Sequence, residues 1–460
     1  MNQTPSKADI AKFVIMSVVG AFLFLVPIPD GEGAANIPLG YVIGWLGEAI
    51  NSVEINGFGL LVLITTLLIT ASFLASIVAY LLKPSFIMEN ERLKHLLLCH
   101  PVYLVSKGLG ALFCWMVFLD FGPEEIMGWG GATLMLVELV ASDSGLVAIF
   151  IILGFLIPIL TDFGIMEFVG IFIRKVLRTL FTVPGRGAID LITSWFSSSA
   201  VGVMVTRNQH ERGFYTHREA ANLCVNFCIV SLPFAFVVAS TVGLSPHFGM
   251  FYLTMSITAI ILAIVMPRIW PLRGIKDEYL AEVGKQIDEE VPPNTSMLSQ
   301  AVRVAGLRAN KSNAGTVVKS GFNNYLDIFL DLIPVIMAWG TLAMIIEAQT
   351  PIFDWLSWPF GQILQLFQVP GALEYAPATV VGFIDMFIPA LMLGTEAPIE
   401  TRFILGVLSV VQIIYMAETG VLILKSKIPL NFGHLVILFL MRTIIALPII
   451  ILLTRLLFNP

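Results

Sequence analysis

Nine stretches of the chain are apolar over roughly 20 residues, which is the length of helix that crosses a hydrocarbon core of ~30 Å. The predicted spans are 11–28, 58–82, 101–119, 145–162, 219–243, 248–268, 325–346, 403–424 and 434–457. Only 13% of the 460 residues are charged, against roughly a quarter in soluble domains. Because that is too few to cover a soluble surface, the sequence predicts an all-α polytopic membrane protein whose solvent is the lipid bilayer.

The distribution of Lys and Arg predicts the orientation of the spans. Residues 29–57, 120–144, 244–247 and 347–401 contain neither, and the basic residues gather in the segments on the other side. Positively charged loops stay in the cytoplasm. The N-terminus is therefore predicted to be cytoplasmic, and an odd number of spans puts the C-terminus outside.

Two further apolar stretches have both ends on the same side of the membrane. Residues 187–206 lie between basic segments, and residues 375–393 lie between segments without Lys or Arg. Each stretch is about as long as a single membrane span, so it is too short to cross twice. Both are therefore predicted to be re-entrant hairpins, a structure that requires the backbone to be buried in protein or to line a cavity.

A short sequence match indicates an internal repeat. The hexapeptide at 180–185 is LFTVPG and the one at 366–371 is LFQVPG. Both copies contain the same parts in the same order: a span, an amphipathic stretch, this turn, a hairpin and a span that contains polar residues. Three predicted spans separate the copies, so the second copy is inverted, as in many secondary transporters. The predicted organisation is N-terminal scaffold helices in 1–144, a first repeat in 145–268, a cytoplasmic linker in 269–322 and a second repeat in 323–460.

In inverted-repeat transporters the solute site lies near the middle of the membrane, between the repeats. The candidate solute-binding residues, at the predicted hairpin tips and in the spans that follow them, are Ser197, Ser198, Ser199, Asn222, Asn226, Asp385, Gln412 and Tyr415. Asp385 and Glu418 are also the candidate ion-coupling residues, because an ionisable group in hydrocarbon costs ~3 kcal/mol or more. The register of the repeat pairs Ser199 with Asp385, and Asn226 with Gln412.

These residues also have structural interpretations. For Asp385 and Glu418 the alternative is an ion pair with one of three basic residues, Lys107, Arg402 or Arg442. For the three serines and Asn222 it is close packing between helices, which small polar side chains favour in membranes.

The sequence contains none of the common motifs of soluble enzymes that we considered. The nucleotide-binding GxxxxGKS pattern and the HExxH and GxSxG patterns are absent. The six histidines show no ligand spacing, so no metal site, cofactor or enzyme activity is predicted.

Several segments resemble a known family. They are Thr161–Gly164, Val183–Asp190, Trp195–Val205 and Tyr215–Ala220, and they resemble the nucleoside-recognition, or Gate, domain. With Gly382–Met386, Tyr415–Glu418 and Ser426–Leu430, the chain is similar to the bacterial YjiH-type membrane proteins over most of its length. The resemblance implies a fold similar to that of concentrative nucleoside transporters and a location in the bacterial inner membrane.

Together these features predict a secondary active transporter of a small polar organic solute, either nucleoside-like or amino-acid-like. It would work by alternating access and be coupled to protons or sodium ions. The alternative from another class is a non-transporting Gate-domain component of a membrane assembly, acting with a partner such as a small single-Gate protein. The N-terminal spans also suit a homo-oligomer, and no nucleic acid partner is expected.

Overall fold

The structure is a computed structural model. It describes residues 5–26, 28–29, 35–36, 38, 41–42, 45, 54–55, 58–98, 101–127, 131–136, 152, 155–156, 158–159, 162–181, 183–184, 187–196, 199–280 and 296–458.

Helices dominate these residues. They are α1 (Lys7–Leu25), α2 (Leu60–Leu82), α3 (Ser85–Met88), α4 (Glu91–Leu97), α5 (Pro101–Phe118), α6 (Glu124–Met127), α7 (Ala132–Leu136), α8 (Ile165–Leu180), α9 (Gly187–Phe196), α10 (Ser199–Glu211), α11 (His217–Asn226), α12 (Leu232–Thr241), α13 (Phe248–Val265), α14 (Met297–Lys311), α15 (Ala314–Asp327), α16 (Ile333–Gln349), α17 (Ile352–Leu366), α18 (Ala378–Val381), α19 (Ile388–Leu393), α20 (Ile399–Val411), α21 (Val421–Leu424) and α22 (Phe432–Leu453). Two antiparallel pairs of very short strands, Ile28–Pro29 with Ala35–Asn36 and Glu54–Ile55 with Phe58–Gly59, are small additions to this helical fold. The predicted helical class is therefore confirmed.

Within the described residues, six helical segments are long and apolar enough to cross a membrane. They are Leu60–Leu81, Pro101–Phe118, Ser245–Arg268, Ala314–Gln349, Ile399–Leu424 and Phe432–Leu457. Each overlaps one predicted span, so the chain is a multi-pass membrane protein. The predicted span 145–162 lies mostly outside the described residues. The spans 11–28 and 219–243 fall on α1 and on α11 with α12, which are not among the six, so the count of nine stays a prediction.

The N-terminal helices pack against the second half of the chain. Helices α2 and α5 pack on each other, and α5 packs along α16. The indole Nε1 of Trp339 donates to Ser106 Oγ across 3.0 Å, and the buried ammonium of Lys107 lies 3.5 Å from Asp331. Residues 60–118 are therefore joined to α16 and the turn before it by polar contacts as well as by apolar packing.

Helix α14 of the predicted linker forms a layer with α1 and α8. Phe13 of α1 is buried with Ala305 and Ala309 of α14. Gly164 precedes α8 with a φ of 103°, and a Cβ atom there would lie 2.4 Å from the Ala305 carbonyl oxygen. This close approach requires a glycine, because an L side chain fits neither the φ nor the gap.

Polar contacts also stabilise the packing of α14 against α8 and the residues before it. Arg308 of α14 lies 3.4 Å from Asp162 and 3.5 Å from Glu167. Asp162 therefore pairs with the predicted linker.

Two pairs of short helices occupy the stretches expected to form hairpins. Helices α9 and α10 pack on each other, as do α18 and α19. The second pair is separated by the non-helical residues 382–387. Each stretch thus contains two short helices that pack on each other, while the hairpin shape and its insertion into the membrane stay predictions.

Candidate solute and cation site

Each helix pair is followed by a helix that breaks. Helix α11 ends at Asn226, and residues 227–231 are not helical before α12 begins at Leu232. Helix α20 ends at Val411, and residues 412–415 are likewise not helical. Asn226 and Gln412 therefore lie at the two breaks, and they occupy equivalent positions of the sequence repeat.

The second break lies against the segment that joins α18 to α19. The backbone N–H of Met416 donates to Phe383 O and that of Ala417 to Ile384 O, each across 2.9 Å. Ile413 has a φ of 65°, which a β-branched residue adopts only under strain of about 1–3 kcal/mol. Contacts with the joining segment therefore keep the backbone non-helical at this break, which lies beside Asp385.

Asp385 is a buried carboxylate in this joining segment. Its side chain is 3% exposed, and its Oδ1 accepts from the backbone N–H of Phe387 across 2.8 Å. Among the described residues it forms no ion pair. Glu418 follows Met416 and Ala417, whose backbone N–H groups donate to Phe383 O and Ile384 O just before Asp385.

Ser199 and Glu418 connect the two halves of the chain. Ser199, the first residue of α10, is buried, and its hydroxyl donates to Glu418 Oε2 across 2.8 Å. The other two predicted tip residues, Ser197 and Ser198, lie outside the described residues.

A chain of hydrogen bonds runs from the first break to the last helix. Asn222 Nδ2 donates to Phe181 O across 3.0 Å, and Asn226 Nδ2 donates to Asn222 Oδ1 across 2.6 Å. The guanidinium of Arg442 on α22 donates to Asn226 Oδ1 across 2.6 Å. Asn222 and Asn226, both candidate solute-binding residues, are therefore in contact, and the buried guanidinium of Arg442 bonds to Asn226.

Gln412 and Tyr415 are buried at the second break. Gln412 Nε2 donates to Thr379 O and to Thr443 Oγ1, each across 2.8 Å, while its Oε1 has no partner within the described part of the chain. The hydroxyl of Tyr415 donates to Ser409 O across 2.8 Å. Of these two side chains, Gln412 is the one with an acceptor atom that has no partner among the described residues.

The basic residues proposed as structural partners make other contacts. Lys107 pairs with Asp331, Arg402 Nη1 donates to Val242 O across 2.7 Å, and Arg442 donates to three oxygens around the breaks. Asp385 is thus left without a basic partner among the residues that the structure describes.

Arg442 was considered in the sequence only as an ion-pair partner. Its signal was its place in the middle of the apolar run 434–457, because a charged residue at such a depth suggests a functional position. Its acceptors lie 216 and 217 positions away in one half and 31 positions away in the other, so their identity depended on the fold.

An equivalent capping contact by an arginine occurs in each half of the chain. Arg268, after α13, donates to Leu180 O across 3.1 Å, and Arg455, after α22, donates to Phe367 O across 2.5 Å. Both bonds join residues 88 apart, and both cap the helix that precedes a helix pair. The two halves therefore share a tertiary contact as well as a hexapeptide.

A cavity of about 170 Å³ lies away from these residues. It is lined by Met344, Glu347, Glu374, Tyr375, Ala378 and Met392. The predicted solute residues within the described part of the chain do not line it. Those that the structure describes are instead closed in by protein, with exposures from 0% to 3%.

Comparison with known proteins identifies one region and one full-length relative. Residues 144–245 match the Gate family, described as nucleoside recognition, which confirms the resemblance seen in the sequence. The chain is 42% identical over 459 residues to the uncharacterized protein BpOF4_10220 of Alkalihalophilus pseudofirmus, covering 99% of this chain and 96% of that one.

Solved structures give more distant likenesses. CNTnw in an inward-facing substrate-bound state matches with a TM-score of 0.41 and 15% identity, over 91% of this chain and 98% of that one. A double variant of CNTnw in an outward-facing state matches with a TM-score of 0.38 and 15% identity, over 90% and 98%. Likenesses this distant assign no substrate or mechanism to this chain.

Proposed function

We propose that this chain, which belongs to the same family as the Alkalihalophilus pseudofirmus protein and carries a Gate domain, is a secondary active transporter of a small polar organic solute. The solute is nucleoside-like or amino-acid-like, and its movement is coupled to protons or sodium ions. The site consists of the two helix breaks and the two helix pairs beside them, with inverted repeats in 145–268 and 323–460 that move relative to each other.

The observation that carries the proposal is the pair of aligned breaks, each beside a buried polar group. A broken helix leaves backbone carbonyls without intrahelical partners, and such ends serve ions and polar solutes in secondary transporters. Asn226 at one break and Gln412 at the other are fully buried. A protein that needed only helix packing would have no reason to break both helices at matching positions.

The charges around the second break suit a coupling cation. Asp385 and Glu418 flank the backbone bonds that join residues 416–417 to Phe383 and Ile384, and Arg442 donates to Val411 O where the break begins. Two carboxylates against one guanidinium leave one negative charge when all three are ionised. Burial makes such a charge costly, so a proton or a sodium ion bound by Asp385 and Glu418 neutralises the site.

The closed packing of the predicted residues fits an occluded conformation. Alternating access then requires that the contacts between halves, such as the bond from Ser199 to Glu418, break and re-form. That Asn222, Tyr415 and the other candidate residues bind the solute is part of this proposal.

The first test is thermal stabilisation of the purified protein. The panel contains nucleosides, amino acids, dipeptides, polyamines and organic acids, with and without sodium and across pH. We expect a stabilising solute whose effect depends on the ion and is lost in Asp385→Asn. The matched control is Asp354→Asn, which removes an exposed carboxylate of α17 in the same half, and it should respond as the wild type does. Uptake into liposomes then measures transport of the identified solute.

The same packing also favours the scaffold alternative, because a sealed interface needs no solute. If no solute stabilises the protein under any ion condition, and a second membrane protein co-purifies with it, transport is the wrong proposal. Loss of that partner on changing the α10 surface would then support a Gate-domain assembly component.

A further inference from the structure

Arg442 lies inside the last candidate membrane span and is completely buried. Its Nη1 donates to Val225 O across 3.0 Å and to Asn226 Oδ1 across 2.6 Å. Its Nη2 donates to Val411 O across 2.7 Å. One guanidinium group therefore binds oxygens at both helix breaks.

These oxygens lie at helix C-termini. Val225 and Asn226 are the last residues of α11, and Val411 is the last residue of α20. The terminal carbonyls of a helix lack intrahelical partners and form the negative end of its dipole. Two such ends that face one point would repel each other without a positive charge between them.

Carbonyl and amide oxygens at unwound helix ends are the ligands with which secondary transporters bind metal cations. We propose that the guanidinium group of Arg442 is a tethered cation that stands between the two broken helices in place of a bound metal ion. The inference rests on the proposed function, because it leaves Asp385 and Glu418 as the groups to which a mobile coupling cation binds.

The repeat supports a special role for this arginine. In the register that pairs position 180 with position 366, Arg442 corresponds to Ser256 in the first half, whose hydroxyl donates to Tyr252 O in its own helix across 2.8 Å. The first half thus has no second arginine at that position, and Arg442 serves both breaks. Its Nε has no partner in the described part of the chain, which is a cost that a merely structural donor such as glutamine would avoid.

The test is rescue of an arginine variant by free cations. Arg442→Ala is purified and its melting temperature is measured while sodium is replaced by N-methylglucamine at constant ionic strength. We expect the variant to melt roughly 5 °C or more below the wild type without sodium. Its melting temperature should then rise with the logarithm of the sodium concentration, as it does for a ligand that binds only the folded state. Guanidinium at millimolar concentration should rescue it as well.

Three further proteins make the result specific. Arg442→Lys keeps a tethered cation, so its melting temperature should not gain a sodium dependence beyond that of the wild type. Arg455→Ala removes an exposed arginine after the same helix and should not gain one either. The gain in Arg442→Ala should persist in an Asp385→Asn background, which separates this site from the proposed coupling site.

Arg442→Gln, which fills more of the space, repeats the measurement in case the alanine variant is not recovered folded. If neither neutral variant responds to sodium or guanidinium more than the wild type does, Arg442 is a structural clamp and the inference is wrong. A failed solute screen together with a co-purifying membrane protein would overturn the transport proposal but would leave this result unchanged.

Discussion

The hydroxyl of Ser199 donates to the carboxylate of Glu418 across 2.8 Å, so the first residue of α10 is bound to the segment that follows the second helix break. The two residues are 219 positions apart in the chain. This contact joins the Gate-matched region to the opposite half at the place where the proposed coupling carboxylates lie.

Removing the Ser199 hydroxyl should weaken this connection. We expect Ser199→Ala to lower the free energy of unfolding by about 1.5–3 kcal/mol, the range for a hydrogen bond to a charged group. Chemical unfolding in detergent measures the loss. The control is Ser256→Ala, whose hydroxyl bonds within its own helix and should cost clearly less. Equal losses in the two variants would show that the Ser199 hydrogen bond stabilises the fold no more than a bond within one helix does.

The pair formed by Lys107 and Asp331 predicts non-additive mutations. Lys107 is fully buried, whereas the Asp331 side chain is 41% exposed. Asp331→Asn leaves the ammonium with Leu96 O at 2.9 Å and Ser76 Oγ at 3.4 Å, so we expect a loss of about 1–3 kcal/mol. Adding Lys107→Met should restore part of that stability, because it removes the buried charge. A double variant that is less stable than both single variants would contradict this account.

Gly164 should tolerate no side chain. Its φ is 103°, and a Cβ atom would lie 2.4 Å from Ala305 O, so Gly164→Ala should destabilise the contact of α8 with α14 by about 1–3 kcal/mol. Gly249→Ala, on helix α13 with open space around it, should be neutral or stabilising by roughly 0.5–1 kcal/mol. Melting temperatures of the two variants, measured side by side, check the prediction, which fails if both behave alike.

His210 should make stability depend on pH. It lies outside the six candidate spans, is buried, and shares a hydrogen bond of 2.9 Å with His217. Burial, followed by the charges of His217 and Lys427, lowers its pKa to about 4, against the opposing effect of Glu211. The unfolded chain therefore binds a proton near pH 6.5 that the folded chain takes up only near pH 4. His210 thus contributes stability above pH 6.5 that is lost as the pH falls toward 4, by roughly 3 kcal/mol at most.

His210→Gln isolates this effect, because glutamine can still bond to His217 but does not titrate. The difference in unfolding free energy between the variant and the wild type should change in the variant's favour between pH 6.5 and pH 4. A constant difference across that range would show that His210 does not cause the pH dependence.

Local sequence patterns were enough to find many of the parts. Apolar length identified the six candidate spans, and the motifs around 161–220 identified the Gate domain, because both depend on residues close together in the chain. The hexapeptide repeat and the polar residues in its register predicted that Asn226 and Gln412 correspond, and the structure has a helix break at each. The nine spans, the insertion of the hairpins and the site roles remain predictions.

Local features of the sequence are enough to place this chain in a bilayer and to make it helical, and its repeat predicts that Asn226 and Gln412 correspond. The reason is that hydrophobic length and composition act locally, whatever the chain does elsewhere. Which polar groups meet follows from the packing of the helices: Ser199 bonds to Glu418, Asn226 bonds to Asn222, and Arg442 bonds to oxygens at both breaks. Such contacts depend on how helices far apart in the chain pack, because a buried donor or charge bonds whichever oxygens the fold brings within about 3 Å.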